Sequence, residues 1–393
     1  MMLYVCRPTR HSMAPGVPGG VPGTCTGLFA PFPRRGPGNL LIRVLIFAEK
    51  PVSSPPPGKH SRAFALFSLP ATLKSLERLS IHMRYIVTGG AGFIGSNLAE
   101  RLARDGHEVV IVDDLSAGRQ ENIVHILSHP RVTFVEGSVT DLVLLVDACA
   151  GADGIFHQAA VASVPRSVAN PLETNAVNVT GTLNVLWAAK ECGVPAVVAA
   201  STSAIYGDDP VFPKCETMAP TPLSPYAVSK LAGEHYGKVF ADLYGIRTVF
   251  LRYFNVFGPR QDPNSEYAAV IPKFITRLLG DKPPIIYGDG EQTRDFIFVA
   301  DVVRANIQAM ESGASGVFNI AGGSRISLNH LSSILAETTG IHHRPVYEPP
   351  RPGDVRDSLA EITRAGEAFG FSPRYTLEAG LRETVAWFRD GGR

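Results

Sequence analysis

The 393-residue sequence lacks the features that would assign it to several common classes of protein. Its five cysteines are odd in number and show no C-x-x-C or other metal-site spacing, so we expect free thiols in a reducing cytoplasm and no bound metal. The apolar stretch 40–48 is too short to cross a bilayer and is interrupted by Arg43. A charged-then-apolar signal peptide is not indicated either. These absences favour a cytoplasmic protein without a membrane partner.

The formal net charge of +1 conceals an uneven distribution. Residues 1–82 contain ten Lys/Arg, two acids and 12 of the 31 prolines, whereas the remainder contains 27 Lys/Arg against 34 Asp/Glu. This mildly acidic body argues against nucleic acid as a partner. Because the proline-rich segment shows no periodic element, we expect residues 1–82 to be a disordered extension, with translation starting at Met83. A basic transit peptide is the alternative.

Residues 84–98 carry the strongest local pattern, which is a short apolar strand, a glycine turn and the start of an amphipathic helix. The turn contains Gly89, Gly92 and Gly95. This order is typical of the opening of a dinucleotide-binding βαβ unit, where glycines let the pyrophosphate approach the backbone and the helix N-terminus. The spacing is G-x-x-G-x-x-G instead of G-x-G-x-x-G, so a ligand-free glycine turn is the alternative.

A second predicted strand, 108–112, supplies the context that the glycines need. It ends at Asp113, where a carboxylate can accept hydrogen bonds from the ribose hydroxyls and would repel a 2′-phosphate. The predicted cofactor is therefore NAD and not NADP.

Strands and helices alternate from residue 83 onward, as a parallel sheet requires, and become shorter after Asn255. We therefore predict an α/β fold, a Rossmann-type doubly wound parallel sheet with a smaller C-terminal α/β substrate domain. The NAD-binding domain covers 83–255, and 256–393 forms mainly the substrate domain, with some segments returning to the sheet. Ligands of such folds bind at the carboxyl ends of the strands.

A second motif, Tyr226-Ala-Val-Ser-Lys230, predicts acid–base chemistry. Residues at i and i+4 share a helix face, and an ammonium group beside a phenol lowers the pKa of the phenol. Tyr226 would then be a general base for a sugar hydroxyl, assisted by a hydroxyl from the Ser/Thr-rich strand end 200–203. A surface Tyr/Lys pair is the alternative.

The whole of residues 83–393 resembles the extended short-chain dehydrogenase/reductase family, and within it the UDP-glucose and UDP-N-acetylglucosamine 4-epimerases. The motifs that carry the resemblance are T-G-G-A-G-F-I-G, F-H-Q-A-A, N-V-T-G-T, Y-A-V-S-K, L-R-Y-F-N-V-F-G-P-R, G-D-G-E-Q-T-R-D-F and R-P-G-D-V-R. The resemblance implies that Tyr226 removes the proton of the sugar 4-hydroxyl while hydride passes from C4 to NAD. The transient 4-keto sugar turns and receives the hydride on its other face.

The resemblance also implies the residues of the site. The catalytic residues would be Thr202, Ser203, Tyr226 and Lys230. The cofactor-binding residues would be Gly89, Gly92, Phe93, Ile94, Gly95, Asp113, Asp114, Ser138, Val139, Gln158, Ala159, Ala160, Asn178, Tyr226, Lys230 and Tyr253. The substrate-binding residues would be Thr202, Asn255, Ala269, Val270, Tyr287, Arg294, Arg351, Asp354 and Ser358. A homodimer is implied through helices 175–192 and 226–244.

Some of these roles have structural alternatives. Arg294 and Arg351 would clamp the diphosphate but could be ion-pair partners, and Asn255 could cap backbone instead of touching the sugar or phosphate. Ser358 lies at the size gate of the family's sugar pocket, where a small residue would admit a 2-acetamido group, or it merely packs. Ser138 replaces the usual aspartate at the adenine amino group, so NAD could bind less tightly.

Sister enzymes give the alternative functions. Related 4,6-dehydratases carry acids after the catalytic threonine and UDP-glucuronate decarboxylases carry a glutamate, whereas this chain has Ser203 and Ala204. UDP-glucuronate 4-epimerase or decarboxylase activity, or a non-catalytic NAD-binding sensor, remain the alternatives. His157 is expected to be a packed histidine and not a base. The sequence leaves open which sugar pair is physiological.

Overall fold

The computed structural model describes residues 82–263, 269–350 and 356–391. The extension predicted for residues 1–82 therefore lies outside the described residues except for His82. The strands are β1 (Arg84–Thr88), β2 (Glu108–Asp113), β3 (Val132–Glu136), β4 (Gly154–His157), β5 (Ala196–Thr202), β6 (Arg247–Tyr253), β7 (Val256–Phe257), β8 (Ile285–Tyr287), β9 (Thr293–Arg294), β10 (Ile297–Phe298), β11 (Gly316–Ile320), β12 (Ile326–Ser327) and β13 (Val346–Glu348).

Helices lie between and after these strands. They are α1 (Phe93–Arg104), α2 (Leu142–Cys149), α3 (Val164–Ala169), α4 (Pro171–Asn175), α5 (Gly181–Cys192), α6 (Pro225–Tyr244), α7 (Val270–Leu279), α8 (Val299–Glu311), α9 (Leu328–Thr339), α10 (Thr363–Phe369) and α11 (Leu377–Arg389). Short 3₁₀ turns occur at Gln120–Asn122 and Ser203–Tyr206. Within the described residues, no helix has both the length and the apolar character of a membrane span.

Seven parallel strands form the central sheet, in the spatial order β3-β2-β1-β4-β5-β6-β11. The order 3-2-1-4-5-6 is that of the doubly wound dinucleotide-binding fold, as the sequence predicts. β11 comes from the 256–393 region and pairs with β6, so this region returns a strand to the sheet.

Neighbouring residues of each strand point to opposite faces of the sheet, and helices cover both of these faces. Val87 packs with the α1 and α8 side, whereas Ile86 packs with α2, α5 and α6. A third apolar cluster, which includes Phe274 of α7, Leu331 of α9 and Leu381 of α11, forms the core of the C-terminal part.

The helix predicted over 175–192 is not uniform. Residues Ala176–Thr180 form one π-helical turn between α4 and α5. The buried Asn178 side chain in this turn accepts a hydrogen bond from the Val161 N–H at 2.8 Å and donates to its carbonyl at 3.2 Å. The helix is thus tied to the loop after β4, and π-helical turns of this kind occur frequently at functional sites.

Candidate active site

Strand register brings the predicted site together at the carboxyl edge of the sheet. Thr88, the last residue of β1, lies beside His157 at the end of β4. Thr202, the last residue of β5, lies beside Tyr253 at the end of β6. The glycine turn follows β1, and the 3₁₀ turn that begins with Ser203 follows β5. Chemistry-bearing residues that are far apart in the sequence therefore share one edge.

The turn between β1 and α1 requires its glycines. Gly89 has a φ of +66°, and a Cβ there would lie 2.5 Å from the Ala159 nitrogen. A Cβ on Gly95 would lie 2.1 Å from the Gly89 carbonyl oxygen. Gly92 occupies the N-cap position of α1, and no side chain in the described part of the chain caps that end. The free N–H groups and dipole of α1 can therefore hold a pyrophosphate, so these residues fit NAD.

The acidic end of β2 organises the same loop. The buried Asp113 carboxylate accepts hydrogen bonds from the N–H groups of Ala91 and Leu115, both at 2.9 Å. Burial raises the pKa of Asp113, and these backbone hydrogen bonds oppose the rise. A carboxylate has about four lone-pair sites, so Asp113 retains capacity for a ribose hydroxyl.

Ser138 contacts other polar side chains of the chain at the end of β3. Its hydroxyl accepts from Thr140 Oγ1 at 3.1 Å and hydrogen bonds to the carboxylate of Asp114. Hydrogen bonds from Ser116 and Ser138 lower the pKa of Asp114 against the opposing effect of burial. Val139 is buried beside them.

The predicted catalytic residues meet where β5 ends and α6 begins. The Ala204 N–H donates to Thr202 Oγ1 at 3.1 Å, and while burial raises the pKa of the Tyr226 phenol, a hydrogen bond with Thr202 lowers it. One turn along α6, the buried Lys230 ammonium donates to the Ala200 carbonyl at 3.0 Å. Ser203 follows directly as the first residue of the 3₁₀ turn.

One electrostatic expectation differs from the structure. Burial raises the pKa of Tyr226, and the hydrogen bond from Thr202 opposes the rise. Burial also lowers the pKa of Lys230 to about 8, which leaves the ammonium largely charged near neutral pH. The predicted acidification of Tyr226 by Lys230 is not found in the protein alone, because burial of the phenol dominates and the opposing contribution comes from Thr202 and not from Lys230.

His157 is buried, and each of its ring nitrogens lies beside a threonine hydroxyl. Its Nδ1 lies 2.7 Å from Thr88 Oγ1 and its Nε2 lies 2.9 Å from Thr182 Oγ1. Because Thr182 donates its only hydroxyl proton to the Asn178 carbonyl, Nε2 must carry the imidazole proton and Nδ1 must accept from Thr88. Burial, assisted by the Lys230 charge, lowers the pKa of His157 to about 3. The neutral imidazole ties β1, β4 and α5 together.

A second polar cluster borders the cofactor side. The Tyr253 hydroxyl lies 3.0 Å from Asn306 Oδ1 and 3.2 Å from Gln158 Oε1, and Gln158 also donates to Asn306. Ala159, which follows Gln158, lies against Gly89 of the glycine turn, and Ala160 is the next residue. Asn306, on α8, was not predicted, because its role depends on a helix from the C-terminal region returning to the sheet.

Behind the catalytic residues lies a buried ion pair that sequence reasoning also missed. Glu234 accepts from Arg252 Nε at 2.8 Å, from Arg252 Nη2 at 2.7 Å and from Ser201 Oγ at 2.6 Å. The Arg252 guanidinium also lies 4.8 Å from the Tyr206 ring. The sequence signal for this ion pair is the four-residue spacing of Tyr226, Lys230 and Glu234, which places Glu234 on the same helix face as the two predicted catalytic residues. This pair fixes α6 against β5 and β6.

On the predicted substrate side, the structure brings Asn255 and Ser358 together. Asn255 Nδ2 donates to Ser358 Oγ at 3.2 Å and to the Asp295 carbonyl at 2.9 Å. The buried Asp295 carboxylate accepts from the Gly322 and Ala360 N–H groups, and burial raises its pKa to about 7. Asp295 therefore holds the segment that carries Ser358.

The remaining predicted substrate residues lie on separate elements. Arg294, on β9, donates to the carbonyls of Thr293 and Arg356, and Tyr287 ends β8. Ala269 and Val270 begin α7. Arg351 and Asp354 lie outside the described residues.

Comparison with known proteins identifies relatives over most of the chain. Residues 85–321 match the NAD dependent epimerase/dehydratase family. The chain is 42% identical over 311 residues to a UDP-glucose 4-epimerase of Mycolicibacterium smegmatis, covering 78% of this chain and 99% of that protein.

Two solved structures are also similar. A UDP-N-acetylglucosamine 4-epimerase from Methanobrevibacter ruminantium, in complex with UDP-N-acetylmuramic acid, is 43% identical with a TM-score of 0.76, covering 79% of this chain and 99% of that one. A UDP-glucose 4-epimerase with UDP-glucose from Thermotoga maritima is 42% identical with a TM-score of 0.75, covering 79% of this chain and 100% of that one.

Proposed function

The chain belongs to the NAD dependent epimerase/dehydratase family, and we propose from this premise that it is an NAD-dependent UDP-hexose 4-epimerase. The observation that carries the proposal is the cluster of Thr202, Tyr226 and Lys230 at the carboxyl edge of the sheet. Ser203 and Ala204 follow Thr202, so the position lacks the acid that a dehydratase or a decarboxylase would need. This favours epimerisation over both alternatives.

Thr202, Tyr226 and Lys230 have different roles in the proposed proton transfer. The Thr202 hydroxyl, oriented by the Ala204 N–H, hydrogen bonds the Tyr226 oxygen, so both can share the proton of the sugar 4-hydroxyl. Bound NAD would supply the acceptor and donor of the hydride at C4. Lys230 places a positive charge one helical turn from Tyr226, held by the Ala200 carbonyl. Tyr226 then reprotonates the 4-oxygen, which leaves the protein unchanged.

The substrate pocket supports acceptance of acetamido sugars. Ser358 is small, so the gate position carries no large side chain, and its hydroxyl accepts a hydrogen bond from Asn255 at 3.2 Å. We therefore assign UDP-GlcNAc/UDP-GalNAc as accepted substrates, with UDP-Glc/UDP-Gal as the second pair. Arg294, and Arg351 beyond the described residues, would bind the diphosphate.

A homodimer is part of the proposal. Large apolar side chains are exposed on α5 and α6, among them Trp187, Val239, Leu243 and Tyr244, and Leu243 is 69% exposed. Two copies of these helices packed together would bury that surface. Leu243→Glu should give a monomer in sedimentation analysis, whereas a dimer of unchanged stability would rule out this interface. We also propose a cytoplasmic location and the domain assignment of 83–255 and 256–393.

Turnover without added cofactor tests the function. The full chain, purified without NAD, should interconvert UDP-Glc with UDP-Gal or UDP-GlcNAc with UDP-GalNAc, as resolved by chromatography. Tyr226→Phe, with the same bound nucleotide content, should lose about 100-fold or more in kcat because the proton acceptor is gone. If neither pair is converted even with NAD supplied, while UDP-glucuronate is epimerised or decarboxylated, the alternative function replaces this one.

A further inference from the structure

The main-chain N–H of Tyr226 has an unusual partner. In the first turn of α6, Pro225 has no N–H, the Ala227 N–H donates to the Ser224 side chain at 3.2 Å, and the Val228 N–H donates to the Ser224 carbonyl at 3.0 Å. The Tyr226 N–H donates instead to Ser167 Oγ at 3.0 Å, on α3 and 59 residues away in sequence. The end of α6 that carries Tyr226 is thus held from outside the helix.

Ser167 is built as an acceptor. Its side chain is fully buried, and its hydroxyl proton is donated to the Val164 carbonyl at 2.6 Å. The lone pairs that remain face Tyr226, and the enclosure leaves no access for a water to replace the hydroxyl.

The main-chain carbonyl of Tyr226 is also held by a hydrogen bond. Ser229 Oγ donates to the Tyr226 carbonyl at 2.7 Å, and Asn178 Nδ2 donates to Ser229 Oγ at 2.9 Å. The peptide groups on both sides of Tyr226 are therefore held by buried side chains, while the phenol hydrogen bonds Thr202.

We infer that Ser167 is a positioning residue for Tyr226, holding its peptide so that the phenol oxygen stays within reach of Thr202 and of the substrate oxygen. The inference rests on the proposed function for its effect on turnover. A displacement of a reacting group by about 1 Å costs up to about 100-fold in rate, so the loss should appear in kcat and not in substrate binding.

Ser224 provides a matched control. It is also a serine whose hydroxyl accepts a first-turn N–H of α6, but that N–H belongs to Ala227. Both Ser167→Ala and Ser224→Ala should lower the thermal midpoint by removing one such bond. Only Ser167→Ala should lower kcat, by about tenfold to 100-fold, with KM within about twofold of wild type. Equal kcat values for the two variants would overturn the inference.

A second measurement does not depend on turnover. Hydrogen exchange of the wild-type Tyr226 amide should be as slow as in the middle of α6, although first-turn amides ordinarily exchange quickly. Fast exchange would overturn the inference, whereas slow exchange in a protein without turnover would support the Ser167 bond and count against the proposed function alone. Should Ser167→Ala fail to fold, Ser167→Cys, which is slightly larger and a weaker hydrogen-bond acceptor, should show the same kcat loss.

Discussion

The buried His157 makes a prediction about acid stability. Its neutral Nε2–H form is selected by the hydroxyls of Thr88 and Thr182, and its folded-state pKa of about 3 lies below the ordinary value of 6.5. Between these two pH values His157 therefore binds a proton in the unfolded chain but not in the folded chain. The contribution of neutral His157 to the unfolding free energy is fully present above about pH 6.5 and is lost as the pH falls from there toward about 3.

The magnitude follows from the two pKa values. Between about pH 7.5 and about pH 5 the unfolded histidine becomes almost fully protonated and the folded one does not, which removes about 2 kcal/mol of unfolding free energy. Asp295 acts in the opposite direction, because its raised pKa, about 7 against 3.8, makes the folded state more favourable as the pH falls. The wild-type pH dependence alone would therefore mix two effects of opposite sign.

Substitution of His157 separates its effect on the pH dependence of stability from that of Asp295. His157→Gln can still donate to Thr182 but does not titrate, so urea unfolding at about pH 7.5 and about pH 5 should show a loss about 2 kcal/mol larger in wild type than in the variant. The contribution of Asp295 is the same in both proteins and therefore cancels in that difference. The same loss in both proteins would refute the reasoning and would mean that His157 is protonated in the folded state, where it could then serve as an acid.

Further variants test other parts of the site. Glu234→Gln should cost about 3–5 kcal/mol in urea unfolding because it leaves the Arg252 charge buried without its partner, whereas Asp242→Asn on the exposed face of α6 should cost less than about 1 kcal/mol. Gly95→Ala should release the bound nucleotide, measured after denaturing the purified protein, because the new Cβ meets the Gly89 carbonyl; full retention would contradict the tight turn. Ser358→Tyr should abolish turnover of UDP-GlcNAc and spare UDP-Glc, and an equal loss of both would refute the size gate.

The parts of the fold that are set by local chemistry were predictable. The glycine turn, the strand ending at Asp113 and the helix that begins at Pro225 each have a signal within a few residues, and the alternation of strands and helices indicated a parallel sheet. The return of β11 to the sheet edge was anticipated only in general terms, because a short strand such as 316–320 has no distinctive neighbours.

The supporting contacts of the site were not predictable. Ser167 and Tyr226 lie 59 residues apart, and Glu234 and Arg252 lie 18 apart, so the partners meet only after the helices pack on the sheet. The pKa of Tyr226 also depends on burial, which the spacing of Tyr226 and Lys230 does not report. Residue types identified the reacting groups, and tertiary packing determined what holds and tunes them.

The central claim is that the sugar is oxidised and reduced at C4 inside one site by one cofactor. The most direct test is turnover of UDP-glucose or UDP-GlcNAc that carries deuterium at C4, with no NAD added, followed by mass and NMR analysis of the product. The account predicts an inverted C4 that retains its deuterium. Inversion with loss of the label to solvent, or a product that has lost water or carbon dioxide, would contradict it.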